Sequence, residues 1–183
     1  MVRLTVEESW KWWRDTLHSP KYVCAPMVRQ SELAFRMLVR QHGACLCYTP
    51  MIPVKVFLAS PDCSDEIVTD PETGDPATQA DFFSTCEADR PLIAQFGGND
   101  PDEVLAAALL VQDRVDAIDL NLGCPQRSAE RDCIGAYLMD DSKRVRRIVK
   151  KLVCNLKVPV TAKIRIFPRV EHTIAFALML QET

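Results

Sequence analysis

PLIAQFGGNDPDEVLAAALLVQDRVDAIDLNLGCP, residues 91–125, is the most informative stretch of the chain. PLIAQFGG (91–98) is a continuous apolar run closed by two glycines, the pattern of a strand covered on both faces. Asn99 or Asp100 then predicts a helix N-cap, with Pro101 near the first helical position, and EVLAAALLVQD (103–113) continues the helix. VDAIDLNLGCP (115–125) predicts the next strand. Strand, helix and strand in so short a span imply two parallel strands joined by a helical crossover.

The same alternation extends in both directions. Upstream, Trp10, Trp13 and Leu17 at helical spacing predict a helix over 7–17 that docks on the core. YVCAPM (22–27) predicts a strand and its following turn. SELAFRMLVRQ (31–41) predicts a helix with Leu33, Ala34, Met37 and Leu38 on its inner face, capped by Gln30 or Ser31 and ended by Gly43. ACLCYTP (44–50) predicts a second strand. Downstream, DDSKRVRRIVKKLVCNL (140–156) predicts an amphipathic helix, VPVTAKIRIF (158–167) a strand and EHTIAFALMLQE (171–182) a last helix. Residues 59–90 are rich in Pro, Asp, Glu, Ser and Thr and read as an exposed loop, centred on 59–81. The expected fold is α/β, with parallel strands in a barrel or a doubly wound sheet, preceded by an N-terminal helix.

Composition narrows the function. At 48% hydrophobic and 26% charged residues the chain is too apolar for a disordered protein. No run of 18 apolar residues predicts a membrane span. The acids and three Trp near the start do not form a signal peptide, so a reducing, cytoplasmic or nuclear location is expected. A net charge of −3 excludes a bulk nucleic-acid sponge but permits a local basic patch, such as the outer face of 143–151. The eight Cys include no C-x-x-C pair, and the three His show no ligand spacing with them. Buried or half-buried free thiols and no metal are therefore expected. No G-x-G-x-x-G or P-loop pattern is present.

In an α/β barrel the chemistry sits at the C-terminal ends of the strands. Here those ends carry Ala25-Pro26-Met27, Gln95, Asp119 through Pro125, and Lys163 with Arg165. Inward polar groups are costly unless they meet a partner. Two amides and a lysine on successive strands therefore suit a ligand, and specifically a planar, imide-edged, anionic ring such as a flavin.

DLNLGCPQ (119–126) and GAYL (135–138), with APM (25–27), PLIAQFGGNDP (91–101) and PVTAKIR (159–165) in the same order, resemble the tRNA dihydrouridine synthases. SELAFRMLVRQHGACLCYTPM (31–51) most resembles the eukaryotic branch acting on D-loop uridines 16 and 17. The resemblance implies a TIM-type (β/α)8 barrel that binds FMN, is reduced by NADPH or NADH, and converts uridine in tRNA to 5,6-dihydrouridine. By position, Cys124 would give the proton to C5 of the uracil. Pro26, Met27, Val28, Gln95, Asn121, Lys163 and Arg165 would be cofactor-binding. The residues agree on Cys124: an ordinary thiol titrates at about 8.5 and so is mostly protonated near neutral pH, the form a proton donor needs.

Two departures from the family pattern stand out. Arg131-Asp132-Cys133-Ile134 replaces a glycine-containing turn, and the sequence holds about five βα units where a full barrel takes eight and about 250 residues. The expected architecture is thus an incomplete barrel over 1–183, without the later barrel units and the C-terminal tRNA-binding helical domain. His172 lies before the place of the family's flavin-phosphate histidine and does not inherit that role. The alternatives are a non-catalytic remnant of such an enzyme or another FMN barrel acting on pyrimidines.

Overall fold

The computed structural model describes residues 4–60 and 82–183, together with the backbone of 68–69 and 76–77. Helix α1 is Val6–Asp15, closed at its start by a reciprocal cap. Glu8 N–H donates to Thr5 Oγ1 at 3.2 Å, and Thr5 N–H donates to Glu8 Oε2 at 2.7 Å. Strand β1 (Val23–Cys24) follows, then α2 (Leu33–Gln41), β2 (Leu46–Tyr48), β3 (Ile52–Pro53) and α3 (Val54–Ala59). A small antiparallel pair joins β4 (Val68–Thr69) and β5 (Pro76–Ala77). Next come β6 (Leu92–Gly97), α4 (Pro101–Val111), β7 (Ala117–Leu122), α5 (Arg127–Arg131), a 3₁₀ turn at Gly135–Asp140, α6 (Ser142–Asn155), β8 (Val160–Ile164) and α7 (Val170–Gln181).

The main sheet is parallel throughout, in the order β1-β2-β6-β7-β8, with β3 also pairing β6 beyond β2. Strands sit side by side in chain order, as in a sector of a (β/α)8 barrel, so the incomplete-barrel expectation holds. Alternation along the strands gives each face its own core. Leu92, Ala94, Phe96, Ile118, Leu120 and Leu122 face the helices and pack on Val104, Ala108, Val145, Ile148 and Leu152. Leu46, Ile93 and Ala117 face the other way and meet Leu17, Trp12 and Trp13. Helix α1 therefore plugs the inner face at the strands' N-terminal ends.

Several sequence expectations need correction. Trp12 rather than Trp10 packs inward beside Trp13, and Trp10 is exposed. Ser31 does not cap α2. Its N-cap is Glu32, and Ser31 Oγ instead accepts from Met27 N–H at 2.9 Å. Helix α2 turns Arg36 inward, leaving Ala34 and Leu38 exposed, because a carboxylate awaits the arginine. That carboxylate is Asp89, 0% exposed, which accepts from Arg36 Nε and Nη2 at 2.9 and 2.7 Å and from Arg40 Nε at 3.1 Å. Residues 82–90 are consequently an exposed loop only in part: Ser84, Cys86, Glu87, Ala88 and Arg90 are exposed, but Phe83 and Asp89 are buried. Polar composition suggested solvent, but paired charges can be buried when every donor finds an acceptor. The proposed loop at 59–81 otherwise lies outside the described residues, apart from Ala59, Ser60 and the β4–β5 backbone. Cys24, Cys45, Cys47, Cys86, Cys124 and Cys133 are free thiols, and Cys45, Cys86, Cys133 and Cys154 are exposed rather than buried.

At the β8 edge, Ile166, Val170, Ile174 and Leu178 are exposed, the last three repeating every four residues along α7. No described helix is long and apolar enough to cross a membrane.

Candidate active site

The inner face rises in layers from the α1 plug. Above Ile93 and Ala117 comes a polar layer, Gln95, Asp119 and Thr161, set laterally by strand register. Above that, Asn121 pairs in register with Lys163. A cleft of about 280 Å³ opens over these residues. Gln95, Asn121 and Lys163 form its floor; Pro26, Met27, Val28 and Gln30 come from the loop after β1; Met51, Gly123, Cys124 and Gln126 complete the wall.

The polar layer is linked by a continuous chain of hydrogen bonds. Gln95 Nε2 donates to Asp119 Oδ2 at 2.7 Å, and Thr161 Oγ1 donates to Asp119 Oδ1 at 2.7 Å. Asn121 Nδ2 donates to Gln95 Oε1 at 2.7 Å. The backbone N–H groups of Gly123 and Cys124 both donate to Asn121 Oδ1 at 3.0 Å. Burial pushes the Asp119 carboxyl up to about 6, although the hydrogen bonds from Thr161 and Gln95 and the charge of Lys163 pull the other way. Burial likewise raises the neighbouring Tyr48 phenol to about 12, with the Asp119 charge adding to it.

The Cys124 loop is tied at several points. Arg165 Nε donates to the Gly123 carbonyl at 2.6 Å, and Ala136 N–H donates to the Cys124 carbonyl at 2.9 Å. Tyr137 Oη donates to the Pro125 carbonyl at 3.2 Å. Gly135 lies at φ +64°, where a Cβ would stand 2.6 Å from the Cys124 carbonyl oxygen, so only glycine fits. Two residues earlier, Cys133 takes φ +51° in the segment where the family pattern carries a glycine-containing turn. The Met27 loop is held by Ser31, whose carbonyl accepts from Arg36 Nη1 at 2.6 Å. The buried Arg36–Asp89 cluster thereby anchors that wall of the cleft.

Of the residues singled out in the sequence, Pro26, Met27, Val28, Gln95, Asn121, Cys124 and Lys163 line one cleft. Arg165 does not line it and serves the Gly123 carbonyl instead. Gln30, Met51, Gln126 and the underlying Asp119 were missed. Gln126 was within reach, since it closes DLNLGCPQ; Met51 was not, since its place depends on β3 meeting β6. His172 stands away from the cleft lining, edge-on to Phe167 with ring centres 6.4 Å apart. Among the described residues, no three potential metal ligands cluster.

The arrangement can hold a flat group on apolar side chains, meet its polar edge with two amides and a cation, and present a thiol at the rim. The dihydrouridine synthase family model matches residues 23–183. The chain is 43% identical over 96% of its length to a tRNA-dihydrouridine(16/17) synthase-like protein, NAD(P)(+), of Mus musculus, covering 34% of that protein. It is 45% identical over 91% of its length to the tRNA-dihydrouridine(16/17) synthase, NAD(P)(+), of Saccharomyces cerevisiae, covering 36% of it. A mouse tRNA-dihydrouridine(20a/20b) synthase-like protein is 41% identical over 83% of the chain. The chain thus spans about a third of the length of the (16/17) relatives.

Proposed function

The chain belongs to the dihydrouridine synthase family, and from that premise we propose that the protein reduces uridine to 5,6-dihydrouridine in tRNA, at D-loop position 16 or 17. The position is favoured because the (16/17) relatives match more of the chain than the (20a/20b) relative does. The proposed location is the cytoplasm or nucleus, where tRNA is processed.

The cleft's donor set fits one flank of an FMN site. Lys163 offers a cation, Gln95 and Asn121 offer amide edges with spare hydrogen-bonding capacity, and Pro26, Met27 and Val28 offer an apolar wall. FMN bound there would supply hydride for C6 of the uracil, replenished from NADPH or NADH. Lys163 would counter negative charge on the bound ring. Asn121 would meet the edge of the ring or of the base while its Oδ1 holds the Cys124 loop. Cys124 Sγ would hold the proton destined for C5 of the uracil, on the face opposite the flavin. The target base must leave its stack to enter, as base-modifying enzymes require.

The observation that carries this reading is the meeting of Gln95, Asn121, Lys163 and Cys124 in one cleft at the strand ends. Titration with FMN tests it first: binding should give a yellow protein, and no uptake would refute the reading for this chain. Where FMN binds, Cys124→Ala should abolish dihydrouridine formation and spare flavin reduction by NADPH. Product retained in that variant would remove Cys124 from its role. Reduction of free pyrimidines in preference to unmodified tRNA would favour a different FMN barrel.

A further inference from the structure

The polar groups beneath the cleft form a chain with one permitted direction. Backbone N–H groups of Gly123 and Cys124 can only donate, so Asn121 must turn Oδ1 to them and Nδ2 toward Gln95. An ionised carboxylate can only accept, so Gln95 must turn Nε2 to Asp119 and Oε1 to Asn121. Both ends demand the same orientation, and the two amides between them transmit it. Asp119 is 1% exposed and its second oxygen is taken by Thr161, so no solvent competes for the Gln95 amide.

We propose that Asp119 is a positioning residue for the loop that carries Cys124, acting through Gln95 and Asn121 to fix the acceptor that holds the Gly123 and Cys124 N–H groups. Asp119 is not itself part of the cleft lining and acts from beneath it, through Gln95. The inference rests on the proposed function only for the role given to Cys124.

The test moves the carboxylate along the chain. Asn121→Asp keeps an acceptor toward the loop but places carboxylates at both ends of Gln95, whose amide has one donating end. One contact must fail, and the loop loosens. Adding Asp119→Asn restores consistency. The new amide at 119 accepts from Thr161 and donates to Gln95 Oε1, so Gln95 turns over and donates to the carboxylate at 121. The readout is alkylation of Cys124 by iodoacetamide in the full chain, followed by peptide mass spectrometry and divided by alkylation of exposed Cys45. The ratio cancels general loosening.

Asn121→Asp alone should raise the ratio about tenfold, the scale of one or two lost hydrogen bonds. The double variant should return to within about twofold of the native chain, and Asp119→Asn alone should stay there, because an amide still accepts from Gln95. A double variant no closer to native than Asn121→Asp overturns the proposal. If Asn121→Asp does not fold, the double variant is still expected to fold and label like the native chain; failure of both to fold overturns the proposal too. No step uses flavin or tRNA, so absence of FMN uptake would count against the proposed function and leave this test unaffected.

Discussion

Replacing Asp119 by Asn should remove a specific pH dependence from the stability of the fold. Asp119 is 1% exposed, and its burial raises the carboxyl from an ordinary 3.8 to about 6. The hydrogen bonds from Thr161 and Gln95 and the charge of Lys163 oppose that rise without cancelling it. Between pH 4 and 6 the folded chain therefore holds a proton that the unfolded chain has lost. Stability must fall as pH rises through that window, being fullest below the unfolded value and lost above the folded one. At 1.36 kcal/mol per pH unit the difference is about 3 kcal/mol. Urea unfolding of the native chain and of Asp119→Asn across pH 4–7 isolates it, since all other titrations are common to both. The native chain should lose about 3 kcal/mol relative to the variant as pH rises from 4 to 7. A difference constant across that range, or one growing in the opposite direction, would refute the reasoning.

Gly135→Ala should cost about 2 kcal/mol or more, because φ +64° disfavours any Cβ and this one would meet the Cys124 carbonyl at 2.6 Å. Its urea midpoint should fall, and alkylation of Cys124 should change more than that of Cys45. Asp89→Asn removes the charge that Arg36 and Arg40 share, and leaves Arg36 buried with its charge uncompensated. That should cost about 3–5 kcal/mol and lower the thermal midpoint by about 10 °C for a chain of this size. A midpoint within about 2 °C of native would mean the cluster is not carrying the charge burial assigned to it.

The alternation of 91–125 carries the essentials of the fold. Asp100 caps α4 by accepting from Asp102 and Glu103 N–H, Pro101 opens it, and the flanking strands pair in parallel. These features were legible because their causes are local. The failures have long-range causes. Arg36 faces inward although the helix-face argument puts Leu33, Ala34, Met37 and Leu38 there, and its partner Asp89 lies in a segment whose composition suggests solvent. Neither half is readable without the other. The same holds for the site. Gln95, Asn121 and Lys163 stand out as polar residues on apolar strands, whereas Asp119 was passed over on the same strand as Asn121. Its role depends on register with Gln95 and Thr161, which a one-dimensional pattern does not contain. Arg165 shows the converse: two residues beyond Lys163 it looked like a second inward cation, but the chain turns after β8 and sends it to the Gly123 carbonyl.

The energetics of position 119 explain why a carboxylate can persist there. An apolar residue would remove the penalty of about 3 kcal/mol that the buried charge carries at neutral pH. It would also leave Gln95 Nε2 buried without an acceptor, at about 1–3 kcal/mol, and Thr161 without its partner. The two penalties are of similar size, so folding stability barely discriminates between them. Direction does. An apolar residue places no constraint on the Gln95 amide, whereas an ionised carboxylate admits one orientation, and that orientation ends at the N–H groups of Gly123 and Cys124. The polar layer contributes little net stability to the sheet. It supplies order to the loop that presents the thiol, with Arg165 and Gly135 holding the same loop from its other sides.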